Sequence, residues 1–117
     1  MKCKVDKSRL SGVIKCPPNK SYSHRAVFLA ALANGKSTLR NVLLSRDTLA
    51  TINACKVFGA KIEINNSTVI VESKGEIIPQ TCEIDASNSG TTIRIATAIS
   101  SLSDDTITLT GDSSLKK

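Results

Sequence analysis

The sequence has almost no aromatic side chains: among its 117 residues only Tyr22, Phe28 and Phe58 carry such a ring, and there is no Trp. A core built from it must be aliphatic. Gripping single-stranded nucleic acid by stacking its bases on exposed rings has only Tyr22 to draw on. Long apolar runs are missing too, since none approaches the roughly 20 residues that cross a bilayer. The opening Met1-Lys2-Cys3-Lys4-Val5-Asp6 is charged, where an export signal needs an apolar stretch of roughly 7–15 residues. A cytoplasmic protein is expected. Cys3, Cys16, Cys55 and Cys82 fall at no metal-binding or disulfide-framework spacing and are expected to be reduced and mostly packing residues. At this length one domain is the ceiling.

Negative charge is scarce in the first half. Residues 1–46 hold ten Lys and Arg against Asp6 alone, a balance of +9, whereas residues 47–117 come to −3. A field so divided attracts anions to the first half, either a phosphorylated metabolite or a nucleic-acid backbone.

The pattern of apolar residues predicts an α/β (α+β) layer protein. Residues 3–15 read as two short strands or a hairpin broken at Ser11-Gly12, and Pro17-Pro18 ends them. Ser21 to Ala33 reads as a helix with a Phe28, Leu29 and Leu32 stripe and Asn34-Gly35 at its C-terminal cap. Ser37 to Leu44 favours a strand. A second helix is expected from Asp47 to Phe58, stopped by Gly59. Lys61–Ile64 and Thr68–Glu72 form a hairpin across Asn65-Asn66-Ser67, and a short strand follows around Cys82–Ile84. The third helix spans Thr91 to Leu102 on Ile93, Ala96, Ile99 and Leu102, and Thr106–Thr110 is a last strand. Gly111-Asp112-Ser113-Ser114 opens a further turn, and the ending looks cut.

Two helix starts carry chemistry. Lys20, Ser21 and Arg25 gather on the opening turns of the first helix, with Ser21 and Arg25 four apart and so on one face. The free N–H groups of a helix start and its positive dipole end favour an anion, and a hydroxyl with two cations there would hold a phosphate or carboxylate. As mere solvated charges the cations would be badly placed, because cations at that end cost stability. Asn88-Ser89-Gly90-Thr91 with Arg94 repeats the logic at the third helix, where Gly90 lets a ligand approach the backbone. Other motifs fail: Gly35-Lys36-Ser37 lacks the glycine a phosphate-binding loop needs at position 30, and the lone His24 reads as structural. The glycosylation tripeptides starting at Asn19, Asn65 and Asn66 have no meaning in the cytoplasm.

Pro17 to Gly35 (PPNKSYSHRAVFLAALANG), Ser45-Arg46-Asp47-Thr48, Phe58-Gly59-Ala60, Asn88-Ser89-Gly90-Thr91 with Arg94, and Leu109-Thr110-Gly111-Asp112 occur in an order and spacing that resemble the N-terminal part of the 5-enolpyruvylshikimate-3-phosphate synthase family (3-phosphoshikimate 1-carboxyvinyltransferases). The resemblance implies the family's inside-out α/β fold of βαβαββ units. Residues 1–16 would be strands that help join two domains, and residues 17–117 would be the first unit and the start of the next. It also implies transfer of the enolpyruvyl group of phosphoenolpyruvate to the 5-hydroxyl of shikimate 3-phosphate, with release of phosphate and through a tetrahedral intermediate. That step belongs to the shikimate pathway of aromatic amino-acid biosynthesis and uses no cofactor or metal.

By the match, Lys20, Ser21 and Arg25 would hold shikimate 3-phosphate, Lys20 and Gly90 would meet phosphoenolpyruvate, and Asp47, Asn88, Thr91 and Arg94 would line or support the cleft. The family's acid–base residues have no counterpart in this sequence, so no catalytic residue is assigned and the chain alone is expected to be inactive. The family's Arg-Pro pair, whose arginine meets phosphoenolpyruvate, would come directly after Lys117. Asn19 stands where Ser is usual, and Ile95 where many members have Pro. The sister enzyme acting on UDP-N-acetylglucosamine shares the fold but typically has Lys-Asn in place of Lys20-Ser21, and a non-catalytic RNA- or anion-binding module is the alternative outside the enzymes.

Overall fold

The Asn19 side chain accepts the Tyr22 N–H at 3.0 Å and so caps the first helix. A computed structural model describes residues 2–116 and places three α-helices and five strands in them. They are α1 (Lys20–Leu32), β1 (Asn34–Leu39), α2 (Arg46–Val57), β2 (Lys61–Asn65), β3 (Thr68–Lys74), β4 (Glu83–Asp85), α3 (Gly90–Ser100) and β5 (Thr108–Thr110).

Strand β3 is the centre of an antiparallel sheet of order β1-β3-β2. The hairpin turns at Asn66, whose φ of 52° is a left-handed conformation that Asn tolerates. The period of two puts Val69, Val71 and Ser73 on the buried face and Glu72 and Lys74 outside, and α1 lies against the buried face. Helix α2 packs beside α1 and ends in a Schellman motif: the Ala60 N–H reaches the Cys55 carbonyl at 3.1 Å and the Gly59 N–H the Lys56 carbonyl at 3.0 Å. This closure needs Gly59, at φ +102°. Strands β4 and β5 pair in parallel around α3, which is the βα arrangement expected when a helix connects parallel strands.

The core is aliphatic, as the composition requires, with Val27, Phe28, Ile52, Cys55, Phe58, Val69, Val71, Ile84, Ala96 and Ile99 at its heart. Five expectations are corrected. Residues 2–16 form no strand: Val5, Leu10, Val13 and Ile14 lie open to solvent, because a strand needs a paired edge and none among the described residues reaches them. Asn34-Gly35 opens β1 instead of capping α1, and the strand expected at Ser37–Leu44 ends at Leu39. Leu29, Leu32 and Leu102 are exposed; α1 buries the small face of Ser23, His24, Val27, Ala30 and Ala31 together with Phe28. Only Cys55 among the cysteines packs in the core, where burial pushes its thiol pKa up; the other three are exposed. No helix among the described residues is long and apolar enough to cross a membrane.

Candidate functional site

Helices α1 and α2 meet at a constant sequence offset, which fixes their mutual direction. Lys20 Nζ is 2.8 Å from Asp47 Oδ2, and one turn further His24 Nδ1 is 2.6 Å from Thr51 Oγ1; both pairs are 27 residues apart. An unchanged offset means parallel helices, so both N-termini lie at one end. The Thr92 hydroxyl, on the first turn of α3, is 2.7 Å from Thr51 Oγ1 and 3.4 Å from the Asp47 carbonyl. Three helix starts therefore converge. Their unpaired N–H groups and positive dipole ends reinforce one another, which makes this end of the molecule electropositive before any side chain is counted.

Each start is pinned by its own cap. Ser45 and Thr48 form a capping box on α2, and Ser89 accepts the Thr92 N–H at 3.1 Å on α3. Ser23 joins the first two elements, since its hydroxyl donates to the Asn19 carbonyl at 2.8 Å and accepts the Leu43 N–H at 2.9 Å. The whole end is thus cross-tied by buried hydroxyls. Ser23, Thr48, Thr51, Ser89 and Thr92 are all buried.

On this frame Lys20, Ser21 and Arg25 stand exposed on the opening turns of α1. The Lys20–Asp47 ion pair is partly solvated, with side-chain exposures of 54% and 27%. It contributes little to stability but holds the ammonium beside the mouth of α2. Gly90 is the first residue of α3, and a Cβ placed on it would meet nothing within 4 Å. Thr91 and Arg94 are exposed on the same opening turns. Among the described residues the side chains of Ser21, Arg25, Thr91 and Arg94 have no hydrogen-bond partner. The structure thus brings Lys20 to Asp47 and sets the α3 start beside them.

Asn88 turns the other way. Its Nδ2 donates to Asp112 Oδ2 at 2.7 Å and to Ser114 Oγ at 2.8 Å, tying the loop before α3 to the turn after β5. The bond from Asn88, and those from Ser114 behind it, hold the Asp112 carboxyl down to about 2. Asn88 is a support for the α3 start.

Among the surface hollows, one of about 480 Å³ borders the α1 start at Asn19, Tyr22 and Ser23. One of about 340 Å³, lined by Lys56, Gly59 and Lys74 among others, sits at the C-terminal end of α2, away from Asp47. Another of about 300 Å³ lies beside Asp112 and mixes the acidic Glu83 and Asp85 with Arg46 and Lys116. Among the described residues the electropositive end is an open face, with Lys20, Ser21, Arg25, Thr91 and Arg94 all exposed.

Sequence reasoning missed His24 as part of this end. It is buried, bonded to Thr51, and held below its ordinary pKa mainly by burial; Asp47 opposes this and Lys20 adds to it. Nothing in its local sequence could have shown this, because its hydrogen-bond partner, Thr51, is on another helix.

The family model for EPSP synthase (3-phosphoshikimate 1-carboxyvinyltransferase) matches residues 5–117. The chain belongs to the EPSP synthase family. A relative in Nitrosopumilus maritimus, named 3-phosphoshikimate 1-carboxyvinyltransferase, is 60% identical over 120 residues, covering 100% of this chain and 28% of its own length. Relatives of the same name in Methanothermobacter thermautotrophicus and Methanosarcina mazei are 43% and 46% identical, covering 96% and 99% of this chain and 27% of their own lengths. The solved EPSP synthase from Acinetobacter baumannii superposes with a TM-score of 0.75 at 31% identity, over 91% of this chain and 25% of that one. The chain therefore spans about a quarter of the length of the relatives it matches, in the same mixed α/β fold.

Proposed function

We propose that this chain forms the part of an EPSP synthase that holds shikimate 3-phosphate and one side of phosphoenolpyruvate. In the complete protein the enolpyruvyl group would pass to the 5-hydroxyl of shikimate 3-phosphate. The observation that carries the reading is the convergence of three helix starts around Lys20 and Asp47, next to exposed Ser21 and Arg25. Both substrates are phosphorylated carboxylates, and this end of the fold offers N–H groups, a hydroxyl and cations to such groups.

Lys20, Ser21 and Arg25 take shikimate 3-phosphate. Lys20 also reaches phosphoenolpyruvate, which borders the backbone at Gly90. Asp47 aims Lys20; Asn88, Thr91 and Arg94 support or line the second helix start. The reaction adds the 5-hydroxyl oxygen to C2 of the enolpyruvyl unit while C3 gains a proton. Loss of phosphate and of a C3 proton then restores the double bond. The proton-moving groups lie outside this sequence, and the open face of the site is the surface a second domain would close over. Residues 1–16 serve that junction as strands completed by the other domain, and the enzyme works in the cytoplasm.

The test is binding of shikimate 3-phosphate to the complete protein by calorimetry. Binding in the micromolar range that Arg25→Ala weakens severely supports the reading. Equal binding by wild type and variant, or none by either, overturns it.

A further inference from the structure

The hydroxyl protons at the three helix starts can be counted, and the count reaches His24. Thr92 has one hydroxyl proton, and it goes to Ser89 Oγ at 2.7 Å, with the Asp47 carbonyl a longer alternative at 3.4 Å. With that proton spent, the 2.7 Å contact between Thr51 and Thr92 must be donated by Thr51. With the Thr51 proton spent in turn, the 2.6 Å contact with His24 can be donated only by Nδ1. Nε2 is left buried, without a partner among the described residues. A proton there would be an unpaired buried donor, which is costly, so the ring stays neutral and its tautomer is fixed.

We propose that His24 is a positioning residue: in its neutral Nδ1–H form it drives a one-way hydrogen-bond chain, His24 to Thr51 to Thr92 to Ser89, that locks the shikimate 3-phosphate side of the site at α1 to the phosphoenolpyruvate side at α3. The chain starts one turn below Lys20 and ends at the cap immediately before Gly90. It fixes the distance between the two substrate-facing helix starts, which no covalent link sets. Ionisable groups near the ring are Lys20 on α1 and Asp47 on α2, while α3 presents the neutral Thr92. Only the identity of the substrates rests on the synthase reading; the hydrogen-bond direction does not.

The experiment uses the complete protein with histidine labelled in both ring nitrogens, assigned by loss of the His24 signal in His24→Asn. Long-range proton–nitrogen NMR should show Nδ1 protonated and Nε2 bare. Thr51→Val, which removes the acceptor at little change in volume, should release the ring to a mixture of tautomers. In steady-state kinetics His24→Leu should raise KM for shikimate 3-phosphate about tenfold or more, as misplacement of binding groups does. His24→Asn, whose amide N–H falls where Nδ1–H sits, should recover most of that loss. A ring protonated at Nε2, a tautomer unchanged in Thr51→Val, or equal KM values for the Leu and Asn variants would each overturn the proposal. A wild-type protein that makes no product contradicts the synthase reading instead, and the tautomer measurement still decides the hydrogen-bond chain.

Discussion

Gly90 and Gly111 show how differently two glycines can be constrained. A methyl group at Gly111 would come 2.9 Å from the Ser87 carbonyl and 2.8 Å from Leu115 Cδ1, so Gly111→Ala should cost about 1–3 kcal/mol by overpacking. Gly90 is helical and faces open space, so Gly90→Ala should leave the melting temperature of the complete protein unchanged or slightly higher. If a substrate presses against that backbone, the same change raises KM for phosphoenolpyruvate; an unchanged KM would remove Gly90 from the site.

Two other residues govern acid sensitivity. Both Asp112 and His24 are held below their ordinary values of 3.8 and 6.5, so in each case the unfolded chain binds a proton more readily than the folded one. The His24 contribution is present above pH 6.5 and fades as pH falls through its folded value. The Asp112 contribution is present above 3.8 and is lost toward about 2. Thermal melts against pH should therefore show stability falling in two steps, with His24→Asn flattening the upper one and Asn88→Ala moving the lower one to higher pH.

At the scale of elements, the helices were the most legible part of the sequence. Asn19, Ser45 and Ser89 cap helices whose ends the sequence reading placed within two residues, because caps, Gly59 and the apolar spacing are local signals. The inward face of α1 was not legible. Leu29 and Leu32 have the stronger apolar character, yet the face that packs is that of Ser23, His24, Val27, Phe28, Ala30 and Ala31, set by where α2 and β3 lie. The cross-helix chain from His24 to Ser89 was equally hidden, because it depends on the register of three helices. Lys20 and Arg25, by contrast, stood out in the sequence as candidate site residues: cations at a helix N-terminus are unfavourable without an anion to meet. The packing itself is testable at Ile52, which is 1% exposed at the centre of α2; Ile52→Ala should cost about 2–5 kcal/mol, read as a loss of melting temperature.

At the scale of the whole molecule, the chain is more extended than its length requires. Its radius of gyration is 17.2 Å, against about 13 Å for a compact chain of this size, and the exposed residues 2–16 are an evident contributor. On the proposed reading their exposed apolar side chains, Val5, Leu10, Val13 and Ile14, belong to strands that find their partners elsewhere in the protein, a pairing no reading of this sequence could locate. In the complete protein the amides of residues 3–15 should be protected from hydrogen exchange, as sheet amides are; free exchange there would remove their role in joining domains. The open, electropositive end of the helices likewise calls for a second wall.

The most direct test of the account is phosphate release by the complete protein supplied with phosphoenolpyruvate and shikimate 3-phosphate, comparing wild type with Lys20→Met. The account predicts release that requires both substrates and falls at least about 100-fold in kcat/KM in the variant, because a charge-assisted contact to substrate is lost. Release that ignores shikimate 3-phosphate, or a variant with the kinetics of the wild type, would contradict it.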